Sequence, residues 1–254
     1  MLHYREQGEG EPLIAIHGLF GSLENLGVIA RQLAQTYKVY SVDLPNHGRS
    51  KHVDNVDLSV MADMVVSVLD TLSIERAHFL GHSLGGKVAM EIALTYPERV
   101  AHLVIADIAP VQYSARHQDV FDGFNAIDLE QVRDRKEADA LMAQYVPEVA
   151  VRSFLLKNLL KTDTGFRWRV NVAGIIHDYP QLIAANCEPD RPFAGPVLFV
   201  KAEHSDYLLP QYREPIISRF PRANVRVINN TGHWLHAEKP DVFSGIVSRF
   251  LVGA

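Results

Sequence analysis

Apolar positions along this chain follow two alternating rhythms. Short runs rich in β-branched residues stand at "LIAIH" (13–17), "VYSVD" (39–43), "AHFLGH" (77–82), "VAHLVIAD" (100–107), "PVLFVKA" (196–202) and "NVRVIN" (224–229). They lack strict alternation, as expected of strands buried on both faces. Longer stretches between them repeat every three to four residues. Leu26, Ile29, Leu33 and Tyr37 share one helical face behind Ser22, and Met61, Val65, Leu69 and Leu72 form a second stripe. "LGGKVAMEIALTY" (84–96) is small and apolar, suited to a helix packed tightly on a sheet, and Val242, Ile246 and Phe250 align on a last helix over 241–252. Strand and helix in alternation predict an α/β fold, a mostly parallel sheet with helices on both faces. At the start, two extended runs flank Gly8–Gly10, which predicts an antiparallel hairpin at one sheet edge.

Between Val111 and Pro196 the rhythm breaks into a charged, mainly helical stretch too long for an ordinary connection. "EVAVRSFLLKNLLK" places Val151, Leu155 and Leu159 on one helical face. The predicted organisation is a core of residues 1–110 and 191–254 with a helical cap at 111–190 over the strand ends.

The chain has 254 residues, a net charge of -5 and no basic cluster. That balance gives no footprint for nucleic acid or an anionic membrane surface. A single cysteine, Cys187, excludes an internal disulfide and reads as a packed thiol. Charges from Arg5 onward leave no apolar stretch for a signal peptide, and no run approaches the length of a membrane span. The expectation is a soluble cytoplasmic protein with no obligatory protein partner.

The chemistry gathers at the strand ends. Gly81-His82-Ser83-Leu84-Gly85 matches G-x-S-x-G between an apolar strand and a small-residue helix. At such a turn a serine projects its hydroxyl outward at a helix N-terminus, where negative charge is favoured. A hydroxyl needs a base and a stabilised oxyanion to act as a nucleophile. His233, in "NNTGHWLHAEKP", follows the last strand in a loop and is the candidate base; His236 reads as packing against the next helix. "IHGLFGS" (16–22) turns sharply after a strand, so the Leu19 and Leu84 N–H groups are the candidate oxyanion donors, with Phe20 as the alternative. The twelve histidines form no H-E-x-x-H, and neither a phosphate loop nor a dinucleotide fingerprint appears, so neither metal nor cofactor is expected.

The set "HGLFGS", "DLPNHGRS", "GHSLGGKVAM" and "GHWLHAEKP", in this order, resembles the α/β-hydrolase superfamily. "HGLFGSLENLG", "DLPNHGRS" and "ADIAPV" look closest to the YbfF-type bacterial esterases. The resemblance implies a mainly parallel eight-stranded sheet, a cap after the sixth strand, and hydrolysis of a small-molecule acyl ester or thioester without a cofactor. Ser83 and His233 carry over as nucleophile and base.

Two aspartates can serve as the acid that orients His233. Asp206 lies after the next sheet strand, where most of the superfamily keeps its acid, but its loop is offset relative to Ala202. Asp107 ends an apolar strand, where a charge has little other reason to stand, and the YbfF-type resemblance implies an acid there. Asp107 is the expected acid and Asp206 the alternative. Phe20, Tyr113, Phe124 and Trp234 are candidate substrate contacts; Phe121 and Trp168 are further aromatic candidates, and Arg116 and His117 could meet a carboxylate or phosphate. The same triad could also serve a carbon–carbon bond hydrolase or a perhydrolase. A ligand receptor that keeps a hydrolase pocket is a third reading, which a complete triad disfavours.

Overall fold

The computed structural model describes residues 1–188 and 192–253. One sheet takes strands β1 (Tyr4–Gln7), β2 (Glu11–Ile16), β3 (Tyr37–Val42), β4 (Ala77–His82), β5 (Val100–Ala106), then, beyond the insert, two more. The helices between them are α1 (Gly27–Leu33), α2 (Leu58–Thr71) and α3 (Leu84–Thr95). The insert after β5 holds α4 (Gln118–Asn125), α5 (Arg135–Met142), α6 (Val149–Leu155), a hairpin β6 (Leu159–Thr162) with β7 (Gly165–Trp168), and α7 (Val172–Leu182). The chain then returns through β8 (Val197–Ala202), α8 (Arg213–Arg219), β9 (Ala223–Ile228), α9 (Leu235–Glu238) and α10 (Pro240–Val252). The boundary expected at 190/191 lies outside the described residues.

The sheet order is β1-β3-β2-β4-β5-β8-β9, parallel except at β1. Successive side chains on the inner strands enter opposite cores, as a period of two requires. Ile14, Phe79, Leu103, Ile105 and Phe199 pack with α2, α3 and the insert. Leu13, Leu80, Val104 and Leu198 pack with α1 and α10. Helices thus cover both faces, which explains why these strands read as continuous apolar runs.

Four expectations need correction. Among the described residues the sheet has seven strands, where the resemblance implies eight, and the insert follows the fifth of them. The two runs flanking Gly8–Gly10 form no hairpin: β3 lies between them, antiparallel to β1 and parallel to β2. The turn crosses the end of α1 so closely that a Cβ on Gly8 would stand 2.4 Å from the carbonyl oxygens of Ala34 and Tyr37. Tyr37 and Leu159 are strand residues, not members of helical faces; α1 ends at Leu33 and α6 at Leu155, where each chain turns into a strand.

Candidate active site

Ser83 sits between β4 and α3 with φ 52° and ψ -119°. The left-handed region is costly for a side-chain-bearing residue and persists where surrounding packing enforces it. Here the neighbouring glycines allow that packing. A Cβ on Gly81 would lie 2.1 Å from the Gly85 carbonyl oxygen, and one on Gly85 would lie 2.3 Å from that of Ile16. Strand and helix therefore meet backbone to backbone, and the serine is left at the apex.

The serine hydroxyl lies 3.0 Å from Nε2 of His233, whose Nδ1 lies 2.8 Å from Oδ2 of Asp107. Asp107 is wholly buried and also has a positive φ, 53°. Its other oxygen accepts the Ala202 N–H at 3.0 Å, so both carboxylate oxygens are partnered. A buried carboxylate held this way compensates its lost hydration. Asp206 is elsewhere: its exposed carboxylate takes both its oxygens to the Arg116 guanidinium at 2.8 Å. Two further groups hold the His233 imidazole. The Tyr207 ring stacks on it at 4.2 Å and 25°, and His82 Nε2 lies 2.8 Å from the His233 carbonyl oxygen. Burial drives the His82 pKa well below the ordinary value, so the ring is neutral and donates that hydrogen bond. His82 is written inside the serine motif. Tyr207 carries no comparable local signal.

The turn after β2 closes with a Gly21 N–H to Gly18 carbonyl bond of 3.0 Å, leaving the Leu19 and Phe20 amides unused by the turn. Phe20 has φ 59°, the conformation that a sharp reversal demands. The Leu84 N–H opens α3 beside Ser83. His17 anchors this turn from below. Its Nδ1 donates to the Gly18 carbonyl at 2.7 Å and its Nε2 accepts the Leu44 N–H at 3.0 Å. Burial holds its pKa down at about 4, consistent with a neutral ring that both donates and accepts.

A cavity of about 550 Å³ opens on Ser83 and His233 between the sheet ends and the insert. Phe20, Tyr113 and Trp234 line it, as do Arg116, His117 and His236. Phe124 does not. It stands behind Phe20 at 5.1 Å and packs edge-on against Trp168, where its apolar ring completes the core of the insert. Phe121 is likewise packed between Phe20 and Tyr179. Lys87, on the serine helix, reaches both ends of the insert: Nζ donates to the carbonyls of Val111 at 2.8 Å and Ala184 at 2.5 Å. Burial lowers its pKa to about 7. Cys187 is half-buried and its thiol is pushed up to about 11, chiefly by burial, which makes it inert. Among the described residues no cluster of ligands fits a metal ion and no helix is long and apolar enough to cross a membrane.

Residues 11–240 match the model of the α/β-hydrolase fold family. The chain is 38% identical to esterase YbfF of Escherichia coli K12 over 97% of its own length and 95% of that protein's. It is 36% identical to the sn-1-specific diacylglycerol lipase ABHD11 of Xenopus laevis, covering 96% of this chain and 81% of the relative. Among solved structures, a marine microorganism esterase superposes with a TM-score of 0.95 at 36% identity, over 98% of both chains.

Proposed function

The chain belongs to the α/β-hydrolase fold family, and from that premise we propose that it is a serine hydrolase acting on carboxylic esters of small to medium acyl groups. The observation that carries this reading is the hydrogen-bonded chain Ser83–His233–Asp107 opening on a largely apolar cavity. The esterase and lipase relatives support the choice of ester as the bond cleaved.

In this reading His233 Nε2 takes the Ser83 proton as Oγ adds to the ester carbonyl. Asp107 holds the Nδ1–H tautomer and stabilises the imidazolium that forms. The oxyanion is met by the Leu84 N–H and an N–H of the Gly18–Gly21 turn, from Leu19 or Phe20. Collapse expels the alcohol, protonated by His233, and leaves an acyl-enzyme. Water then attacks with His233 again as base and frees the acid. An acyl thioester fits the same steps with a thiol leaving. Tyr207 and His82 keep the imidazole from turning away during these transfers.

The test is hydrolysis of p-nitrophenyl butyrate by purified wild-type and Ser83→Ala protein. Wild type is expected to turn over with saturation and Ser83→Ala to lose roughly 10⁴-fold or more in kcat. Equal rates would end the reading.

A further inference from the structure

His117 stands at the start of α4 and lines the catalytic cavity, yet the mechanism above leaves it without a task. Its hydrogen bonds can be counted. The Tyr179 hydroxyl accepts the Arg116 N–H at 3.2 Å. A phenol oxygen has two acceptor sites and one proton. Among the described residues the only other group within hydrogen-bond reach of that hydroxyl is Nδ1 of His117, 2.5 Å away, so the proton is donated there. The imidazole is therefore locked in one tautomer, with its N–H at Nε2. Its ring packs edge-on against Tyr179 at 5.4 Å and Phe20 at 6.4 Å, so it flanks the turn that carries two candidate oxyanion amides. Burial and the nearby His233 hold its pKa at about 4, so the ring is uncharged near neutrality. Among the described residues Nε2 has no hydrogen-bond partner, and the half-buried ring lines the cavity.

We propose that His117 is a specificity-determining residue whose Nε2–H binds an oxygen acceptor in the acyl group, so that the enzyme favours esters carrying an ether or keto oxygen close to the scissile carbonyl. The inference rests on the serine-esterase reading. An uncharged N–H brings no net charge to draw an anion, and the cation beside it, Arg116, is already paired with Asp206, so a neutral oxygen is the acceptor that fits. The acyl side is favoured because His117 packs edge-on against Phe20, whose turn carries the candidate oxyanion amides, so the ring stands beside the carbonyl that the acyl-enzyme retains. A donor left facing an alkyl chain loses its water without replacement, so discrimination arises against substrates lacking the oxygen.

The test uses two matched pairs of p-nitrophenyl esters: methoxyacetate with butyrate, and 4-oxopentanoate with pentanoate. Within each pair, the ratio of kcat/KM for the oxygen-bearing ester to its alkyl partner is compared between wild type and variants. This cancels intrinsic reactivity and any general loss of activity. His117→Phe is expected to lower the ratio about tenfold in at least one pair. Tyr179→Phe, which frees the tautomer, is expected to lower it in the same pair by a smaller factor and so covers the case of a His117 variant that folds poorly. Ratios within twofold of wild type in both pairs for both variants would overturn the inference while leaving the esterase reading intact. Turnover of all four esters that survives Ser83→Ala, or no turnover by wild type, would remove both.

Discussion

Asp107 and Asp206 show how two identical side chains are told apart. One is sealed at the end of β5 with both oxygens on protein donors; the other faces solvent on an arginine. Only the first touches the imidazole. Asp107→Asn is expected to reduce kcat about 10⁴-fold, because an amide cannot hold the required tautomer or balance the imidazolium. Asp206→Asn is expected to stay within a few-fold of wild type, since an exposed ion pair contributes little. Esterase kinetics of the two variants side by side decide it, and a large loss confined to Asp206→Asn would reverse the assignment. Asp107 was legible in the sequence as a carboxylate after an apolar strand. Its partnership with His233, 126 residues away, was legible from that strand end and the offset loop of Asp206 together with a family likeness.

At the scale of elements, the serine helix does two things at once. Its first turn presents Ser83, and one turn later Lys87 ties down the entry and exit of the insert. The insert is thus fastened to the same helix that carries the proposed nucleophile. Lys87→Met keeps the apolar stem but removes the donor to two half-buried carbonyls, each loss costing up to about 1–3 kcal/mol. The expected result is faster proteolytic cleavage within 111–188 and a lower melting temperature, read by limited proteolysis and thermal melts. Unchanged cleavage would mean that the insert is held by its apolar contacts alone. The insert is also where sequence periodicity misled: Leu159 continues a helical stripe on paper but sits in the β6–β7 hairpin, whose chain reverses before Gly165, at φ 141°. Tertiary packing overrides local preference in so short a segment.

Across the whole molecule, the buried histidines make an acid-sensitive fold. Burial holds His17 and His236 at about 4, and burial with repulsion from any proton on the neighbouring His17 holds His47 at about 3. Each lies below the 6.5 of an unfolded histidine, so between about pH 6.5 and 4 the unfolded chain binds protons that the folded chain excludes. Stability from these groups is complete above pH 6.5 and declines as pH falls, by about 1.4 kcal/mol per pH unit for each proton so excluded. Denaturant midpoints measured from pH 7.5 to 4.5 are expected to fall steeply below 6.5. A flat profile would mean that the folded state accommodates these rings in their protonated form.

What the sequence determined by itself was set by short-range physics. Apolar runs without alternation require strands covered on both faces, three-to-four spacing requires helices, and the glycines around Ser83 permit the close approach that exposes the hydroxyl. These constraints act within a few residues and can be read in one dimension. The tertiary structure decided everything that depends on which strand ends lie side by side. It inserted β3 between β1 and β2, brought Asp107 to His233 rather than Asp206, set Tyr207 on the imidazole, and moved Phe124 out of the cavity into the insert's core. It also joined Tyr179 to His117, two residues 62 positions apart. Such contacts follow from strand order and the path of the insert, and neither composition nor periodicity encodes distance across a fold.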